Sequence, residues 1–118
     1  MKSDVFGVWP IATKSAATGT LFFSPRQGER DTDALVQASL SRDAAAFDAR
    51  HPEVAPGYMV QGNAWFDLRA NVPARFNRMI FYDGGVYHSG DIRHPERMSA
   101  DPATGRLTFN GFFRCRAQ

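Results

Sequence analysis

The stretch that decides the fold class runs from Arg75 to His88 and reads Arg-Phe-Asn-Arg-Met-Ile-Phe-Tyr-Asp-Gly-Gly-Val-Tyr-His. Its first eight residues combine aromatic and aliphatic side chains on both alternating faces, which predicts a central β-strand over 75–82. Asp83-Gly84-Gly85 is a turn signal, and Val86-Tyr87-His88 then predicts the return strand of a hairpin. The chain is therefore expected to be built on antiparallel strands.

Three further segments have strand composition, namely Val5 to Thr13, Thr20 to Ser24, and Leu107 to Arg114. The small polar residues 14–19 resemble a hairpin loop, so we expect the first two strands to pair. Several short strands with one helical excursion favour a mainly β protein, a β-sandwich or jelly roll, over alternating βα units.

One helical insertion is predicted at about 33–50, within residues 31–71. Apolar residues there recur at spacings of four, four and three, which predicts one buried helical face formed by Val36, Leu40, Ala44 and Phe47. Asp31 and Asp33 are candidate N-caps, and residues 41–43 could restart the helix. The stretch 64–70 is predicted to be a short helix or irregular.

The 118 residues allow one domain, 1–118, and the 43% hydrophobic and 22% charged composition is that of a folded globular chain. No apolar run approaches the roughly 20 residues of a membrane helix, and no signal pattern opens the chain, so we expect a cytoplasmic protein without membrane contact. The single cysteine, Cys115, fits a reducing compartment and is expected to be an inert buried thiol.

Charge gives a modest indication of the ligand. Twelve of the fourteen basic residues are arginines, which favour fixed bidentate contacts with anions, and the second half of the chain is the more basic. A net charge of +2 lacks the dense basic stripe of a nucleic-acid binder, so nucleic acid is not an expected partner. A small anionic ligand fits better.

His88, Asp91 and His94 have the residue types of a two-histidine, one-carboxylate metal site. Their i, i+3, i+6 spacing needs a helix to converge, and Gly90 and Pro95 disfavour one, so we expect this local triad to stay open. His88 alone is the better candidate because its strand position gives it a fixed direction.

The last strand has one polar and one apolar face. Alternation places Arg106, Thr108, Asn110 and Phe112 on the first face and Leu107, Phe109, Phe113 and Cys115 on the second. The apolar face is expected to meet a packed layer. The polar face either lines a cavity, where Arg106 could pair with a carboxylate, or belongs to a solvated edge strand.

Two segments together resemble a known family: Val72-Pro-Ala-Arg-Phe-Asn-Arg-Met-Ile-Phe-Tyr-Asp-Gly-Gly-Val-Tyr-His-Ser-Gly90 and Gly105-Arg-Leu-Thr-Phe-Asn-Gly-Phe-Phe113. They resemble motifs of a bacterial family of uncharacterised domains related to the 2-oxoglutarate and iron(II)-dependent oxygenases. Residues 18–23 also resemble that family's Gly-Gly-Thr-x-Phe strand. The likeness covers residues 5–114 and implies a double-stranded β-helix, the jelly-roll or cupin-like fold.

The resemblance also implies site residues. His88 matches the distal iron-binding histidine, and Arg106 matches the arginine that pairs with the remote carboxylate of 2-oxoglutarate. The predicted cosubstrate-binding residues are Arg106, Asn77 and Thr108, and the predicted metal ligands are His88 and Asp4. Such an oxygenase of the hydroxylase type would use Fe(II), whose facial ligand set leaves positions open for cosubstrate and oxygen.

The chain departs from that family at the first metal motif, His-x-Asp, because no histidine precedes His51 and Lys2-Ser3-Asp4 stands near the expected place. A protonated lysine is a poor iron ligand. Two explanations stay open: a truncated or degenerate domain with an incomplete metal site, or missing strands supplied by another chain. The alternative function is a non-catalytic small-ligand-binding or assembly module. Unpaired sheet edges in such an incomplete β-helix predict a homodimer.

Overall fold

Strands dominate the computed structural model, which describes residues 4–12, 19–41, 43–101 and 103–114. The strands are β1 (Asp4–Ala12), β2 (Thr20–Pro25), β3 (Phe66–Val72), β4 (Ile80–Asp83), β5 (Tyr87–Gly90) and β6 (Arg106–Arg114), and the helices are α1 (Glu29–Ser41) and α2 (Ala44–Arg50), with a 3-10 turn at Pro95–Arg97. The prediction of a mainly β fold is confirmed. The long predicted loop after His88 contains this 3-10 turn and begins only after β5 ends.

The strands form two antiparallel three-stranded sheets. Sheet A has the order β4-β1-β6 and sheet B has the order β3-β2-β5. In sheet A, β1 pairs with β6 along its whole length, from Asp4 opposite Arg114 to Ala12 opposite Arg106. The prediction that the first two strands pair is wrong, because β1 and β2 belong to different sheets and each finds its partners far along the chain.

The predicted strand over 75–82 is only half correct. The chain turns first, with the Arg78 N–H donating to the Arg75 carbonyl at 3.1 Å and Asn77 in the left-handed region at a φ of 57°. Only Ile80–Asp83 is extended, and β4 is an edge of its sheet rather than central. A positive φ cannot continue a strand, which explains the late start.

The turn after Asp83 is confirmed, with the Val86 N–H donating to the Asp83 carbonyl at 3.0 Å, but it does not close a hairpin. β4 pairs with β1, whereas β5 pairs with β2. This turn therefore carries the chain from sheet A to sheet B, and the ring of Tyr82 contacts Phe22 and His88 of sheet B.

The segment predicted to be helical or irregular, 64–70, is largely β3. This strand pairs with β2 and is bulged by one residue opposite the step from Phe22 to Phe23. Its polar side chains are held across the pair: Arg26 Nε donates to Asp67 Oδ1 at 2.6 Å, and Arg69 Nε donates to Ser24 Oγ at 2.6 Å. Pairing with β2 thus stabilises the extended conformation of a segment whose residues have weak strand propensity.

The hydrophobic core lies between sheet B and the helices. Its buried side chains are Leu21, Phe23, Leu35 and Phe66, with Phe47 of α2 packed against them. Leu21 and Phe23 come from the central strand of sheet B, and Leu35 comes from α1. The helices therefore cover one face of sheet B, and its other face is turned towards sheet A.

The helical insertion is confirmed, but its buried face is not the predicted one. α1 begins at Glu29, so Asp31 and Asp33 lie within it and are not N-caps. Asp43 caps α2 by accepting from the Ala46 N–H at 2.8 Å, which confirms the predicted restart. Leu40 is 76% exposed because α1 buries the face that holds Thr32 and Leu35, and Leu40 lies about 140° around the helix from Leu35. None of the described helices is long and apolar enough to cross a membrane.

Candidate functional site

Three rings join the two sheets, and we call them the inter-sheet cluster: Phe22 of β2, Tyr82 of β4 and His88 of β5. The ring centroids of Phe22 and Tyr82 are 5.0 Å apart in an edge-to-face arrangement, and those of Tyr82 and His88 are 4.9 Å apart. Phe22 and His88 are opposite each other in sheet B. The cluster therefore places the predicted metal ligand at the junction between the sheets.

His88 is exposed, and its ring orientation is fixed by its own strand. Nδ1 lies 2.9 Å from the Val86 carbonyl oxygen. Because a carbonyl only accepts, this hydrogen bond requires the proton on Nδ1, and Nε2 of the neutral ring is then an acceptor. A backbone carbonyl on the second ring nitrogen is also what orients histidines that bind metals.

Tyr82 gives the cluster a neutral hydroxyl. Burial raises the pKa of the Tyr82 phenol above its ordinary value of 10.0, so the phenol stays protonated at neutral pH. The phenol therefore adds no charge to the cluster.

Strand register shows which predicted site residues share the inter-sheet side of sheet A. Tyr82 is opposite Phe6, and Phe6 is opposite Phe112. By alternation this face also holds the positions of Asp4, Arg106 and Thr108. Asp4, Arg106 and Thr108 therefore hold register positions on the face of sheet A that carries Tyr82, the ring that contacts His88.

The same register separates the predicted ligands along β6. Asp4 is two residues from Phe6, at the end of the sheet where Tyr82 and His88 meet. Arg106 is six residues from Phe112, about 20 Å along the strand, and lies towards the other end. Thr108 lies between them and is half-buried.

Asn77 is the predicted site residue that the structure does not bring to this junction. It is exposed and lies in the turn that precedes β4, outside both sheets. Cys115 falls outside the described residues. The apolar face of β6 does not meet a packed layer as predicted, because Phe109 and Phe113 are exposed and sheet B lies on the opposite side.

The described side chains do not supply the three ligands of an iron site. Nowhere in that part of the chain do three histidine, cysteine or acidic side chains come close enough to hold a metal ion. His88 is held by Val86, whereas His94 Nδ1 lies 3.1 Å from Glu96 Oε1. The pairing of His88 with Asp4 stays a prediction.

Asp91 is a buried carboxylate that the sequence indicated only as a possible metal ligand. Its Oδ2 accepts from Asn71 Nδ2 at 3.3 Å. Arg93 Nε lies 2.8 Å from Oδ1, a close ion pair that lacks hydrogen-bond alignment. The Asp91 N–H donates to the Gly19 carbonyl at 2.9 Å. These contacts give Asp91 a structural role, in which it fastens the end of β5 to the start of β2.

A second polar cluster, at the end of α2, was not indicated by any motif. Trp65 Nε1 donates to Glu53 Oε1 at 2.9 Å, and His51 Nδ1 lies 3.2 Å from the same oxygen. The Trp65 hydrogen bond is the largest reason why the pKa of Glu53 lies below its ordinary value of 4.5, followed by a backbone hydrogen bond and His51. Glu53 thus ties the loop after α2 to the residue that precedes β3.

Glu53 is expected to stabilise the fold at neutral pH and to lose that effect in acid. The pKa of Glu53 is lower in the folded state than in the unfolded state, so the ionised carboxylate stabilises the fold at pH values above its ordinary pKa. This stabilisation is lost as the pH falls through the lower pKa of the folded state. The thermal midpoint of Glu53→Gln should fall below that of the parent at about pH 7, and the difference should shrink as the pH falls through the lowered, folded-state pKa of Glu53.

Trp65→Phe is the matched variant for this measurement, because it keeps an aromatic ring and removes the N–H that lowers the pKa of Glu53 most. It should weaken the same pH dependence. A difference between the parent and Glu53→Gln that stayed constant across the acid range would contradict the assignment.

The sequence of this chain also matches a known protein family. A family model matches residues 11–113, and its description is DUF6445, a family of unknown function. The chain belongs to this family. No curated protein and no solved structure matches the chain.

The DUF6445 match contains the inter-sheet cluster together with Asn77, Arg106 and Thr108, whereas Asp4 lies before it. It also spans both helices and strands β2 to β5. The junction between the sheets is thus a feature of the matched part of the chain.

Proposed function

We propose that this DUF6445 domain binds a small anionic ligand on the face of sheet A that holds the register positions of Arg106 and Thr108, as an oxygenase-like domain of the double-stranded β-helix class with an incomplete metal site. The observation that carries the proposal is the register of β6, which puts Arg106 and Thr108 two residues apart on the face of sheet A that carries Tyr82. A dicarboxylate of the 2-oxoglutarate class is the ligand that the family resemblance suggests.

The chemistry of these two positions supports an anion. Thr108 adds a half-buried hydroxyl donor on this face. Arg106 would supply the fixed positive charge and the two parallel N–H groups that suit a carboxylate.

Iron is not required by this proposal. When bound in an oxygenase, iron activates oxygen against a cosubstrate, and that chemistry needs a facial set of three protein ligands. The described side chains do not provide such a set, and we derive no catalytic step from them. A metal-dependent oxygenase, with Asp4 beside His88, is the outcome that the following experiment separates from ligand binding alone.

Thermal unfolding in the presence of 2-oxoglutarate, Mn(II), or both tests the proposal. Ligand at ten times its dissociation constant stabilises by about 1.4 kcal/mol, which is a rise of about 5 °C for a domain of this size. We expect 2-oxoglutarate alone to produce this rise, and Arg106→Ala to abolish it. His88→Ala should leave it unchanged, because His88 contacts Tyr82 about 20 Å along the strand direction from the row of Arg106.

Arg97→Ala and His94→Ala are the matched controls, because both side chains are exposed and lie in the loop between β5 and β6. They should leave the rise unchanged. A rise that required Mn(II) would favour the complete oxygenase site. No rise with millimolar 2-oxoglutarate, or an equal rise in Arg106→Ala, would overturn the anion site.

A further inference from the structure

Two arginines at one end of sheet B, Arg26 and Arg69, contact the same carboxylate, and we call them the arginine pair. Arg26 Nε donates to Asp67 Oδ1 at 2.6 Å, and Arg69 Nη2 lies 3.8 Å from Asp67 Oδ2. Within the described residues, Asp67 is the acidic partner of both arginines. One carboxylate therefore holds two guanidinium groups close together, and one positive charge is left without a counter-charge.

The β-bulge in β3 gives Arg69 its position. Phe22 is opposite Ala70, and the next residue of β2 is opposite Leu68. Arg69 is therefore the extra residue of the bulge. Its Nε donates at 2.6 Å to Oγ of Ser24, which by alternation lies on the same face of β2 as Phe22. Bulges often redirect a side chain next to a functional site, and this one brings Arg69 to the face of sheet B that is turned towards sheet A.

The contacts of the arginine pair leave several hydrogen-bond donors for a ligand. A guanidinium has five N–H groups, and in both arginines the one on Nε is held by a side chain of the sheet. The contacts through Nε orient the two planar groups, whose Nη groups supply the other donors. Ser24 accepts from Arg69, so its own O–H remains a donor, and no acceptor for it lies among the described residues.

The arginine pair is also accessible. The side chain of Arg26 is 52% exposed and that of Arg69 is 64% exposed, whereas Ser24 is half-buried. Strand β5 pairs with β2 only as far as Phe23, so it does not continue alongside Ser24. A small ligand can therefore reach the three side chains from the end of sheet B.

We infer that the arginine pair and Ser24 bind a phosphate group. A phosphate monoester carries a charge of about −1.5 to −2 at neutral pH and has three strong acceptor oxygens. It would neutralise the unbalanced positive charge and accept from all three side chains. Guanidinium groups bind phosphate through two parallel N–H groups, which lysine cannot offer. A carboxylate has a smaller charge and fewer acceptor oxygens, so it binds here more weakly than phosphate.

This site is separate from the anion site proposed on sheet A. Ser24 and Arg69 belong to strands of sheet B, and the Arg26 N–H extends the pairing of β2 by donating to the Trp65 carbonyl at 2.8 Å. Arg106 and its neighbour on the polar face belong to β6 of sheet A. The two sites can therefore be tested independently of each other.

A ¹H–¹⁵N NMR titration with inorganic phosphate, at constant ionic strength set with chloride, tests the inference. The amide signals of residues 24–26 and 67–69 should shift in a saturable way, and acetate should bind at least about tenfold more weakly. Glycerol phosphate identifies the source of the group: equal or tighter binding assigns the site to phosphate monoesters, and weaker binding assigns it to free phosphate. No shift of these signals with millimolar phosphate would overturn the inference.

Arg69→Gln should weaken phosphate binding at least about tenfold, because it removes a charge-assisted pair of hydrogen bonds. Arg97→Gln is the matched control, since Arg97 is an exposed arginine in the loop between β5 and β6. It should bind phosphate as the parent does. Signals of residues far from the substitution should overlay on those of the parent, which shows that each variant is folded. Equal affinity in Arg69→Gln and the parent would contradict the assignment.

Arg106→Ala separates this inference from the proposed function. It should abolish the response to 2-oxoglutarate and leave the phosphate shifts at residues 24–26 and 67–69 intact. Loss of phosphate binding in Arg106→Ala, with retention in Arg69→Gln, would show that phosphate occupies the site on sheet A and would overturn the inference alone. A failure of the 2-oxoglutarate experiment would leave the phosphate result standing.

Discussion

Leu21→Ala should lower the free energy of unfolding by about 3 kcal/mol, the middle of the range for a buried leucine truncated to alanine. Leu21 is completely buried in the centre of sheet B and belongs to the same cluster as Leu35 and Phe66. The loss combines the transfer free energy of the removed atoms with the cavity left between the sheet and α1. Urea denaturation should show a lower midpoint with an unchanged slope.

Leu40→Ala is the matched control for that experiment, because the same atoms are removed from a side chain that is 76% exposed. We expect a change within about 0.5 kcal/mol. The sequence pattern alone predicts the opposite, since Leu40 belongs to the predicted apolar helical face. A large loss in Leu40→Ala with a small loss in Leu21→Ala would therefore contradict the packing described above.

The contrast between Leu21 and Leu40 shows what the spacing of apolar residues can predict. It correctly indicates helices before residue 50, because Ala, Leu, Gln and Arg favour them. It gives the wrong face because α1 buries Thr32 and Leu35 rather than Leu40, and because the predicted apolar face continues across the restart at residues 41–43. Asp43 caps a second helix, so apolar spacings measured across the break do not describe one surface.

The missed strand, β3, has a different cause. Phe66 and Leu68 alternate with Asp67 and Arg69, which is a strand pattern, but the charged residues have low strand propensity. In the fold these charges pair with Arg26 and Ser24 across the neighbouring strand. Such pairing depends on residues about 40 positions away, and local composition does not contain it.

The local sequence also does not predict which of the two sheets each strand joins. The Asp-Gly-Gly turn predicts a hairpin, and a hairpin would place β4 and β5 side by side. Instead, β4 pairs with β1 and β5 pairs with β2. Tyr82 and His88 face each other across the sheets for that reason, so the candidate site follows from long-range pairing rather than from its own motif.

The family resemblance predicts site roles for His88 and Arg106, but it does not indicate Tyr82 or Phe22, whose rings contact His88. Alternation could have found Phe22: it lies between Leu21 and Phe23, and a strand covered on both faces reads as a continuous apolar run. The separation of Arg106 from the cluster needed the register of β1 with β6. Such register is set by non-local contacts between strands.

Gly19→Ala is expected to cost at least about 2 kcal/mol, because the new methyl group would overlap the backbone at the end of β3. A Cβ at this position would strike the Val72 carbonyl oxygen and lie 3.0 Å from the Pro73 Cα. Backbone cannot yield as a flexible side chain can. The φ of Gly19 is not positive, so the penalty is purely steric.

The matched control is Gly28→Ala, since nothing lies within 4 Å of a Cβ at Gly28. Gly28 precedes α1 and its carbonyl accepts from the Thr32 N–H, so alanine there should cost less than about 1 kcal/mol. Thermal and urea unfolding of the two variants measure the difference. Equal losses would show that loss of chain flexibility, rather than the contact with Val72, decides the effect of Gly19.

Gly19 also links stability to the candidate site. Its carbonyl accepts the N–H of Asp91, which directly follows β5, the strand that carries His88. Displacing Gly19 should therefore shift the end of β5 and weaken the Tyr82–His88 contact. We expect both Gly19→Ala and Leu21→Ala, below their own lowered midpoints, to keep the stabilisation by 2-oxoglutarate, because the row of Arg106 lies about 20 Å along the strand from the Tyr82–His88 contact. Loss of this stabilisation in Gly19→Ala alone would show that the ligand depends on the position of β5, and therefore on His88.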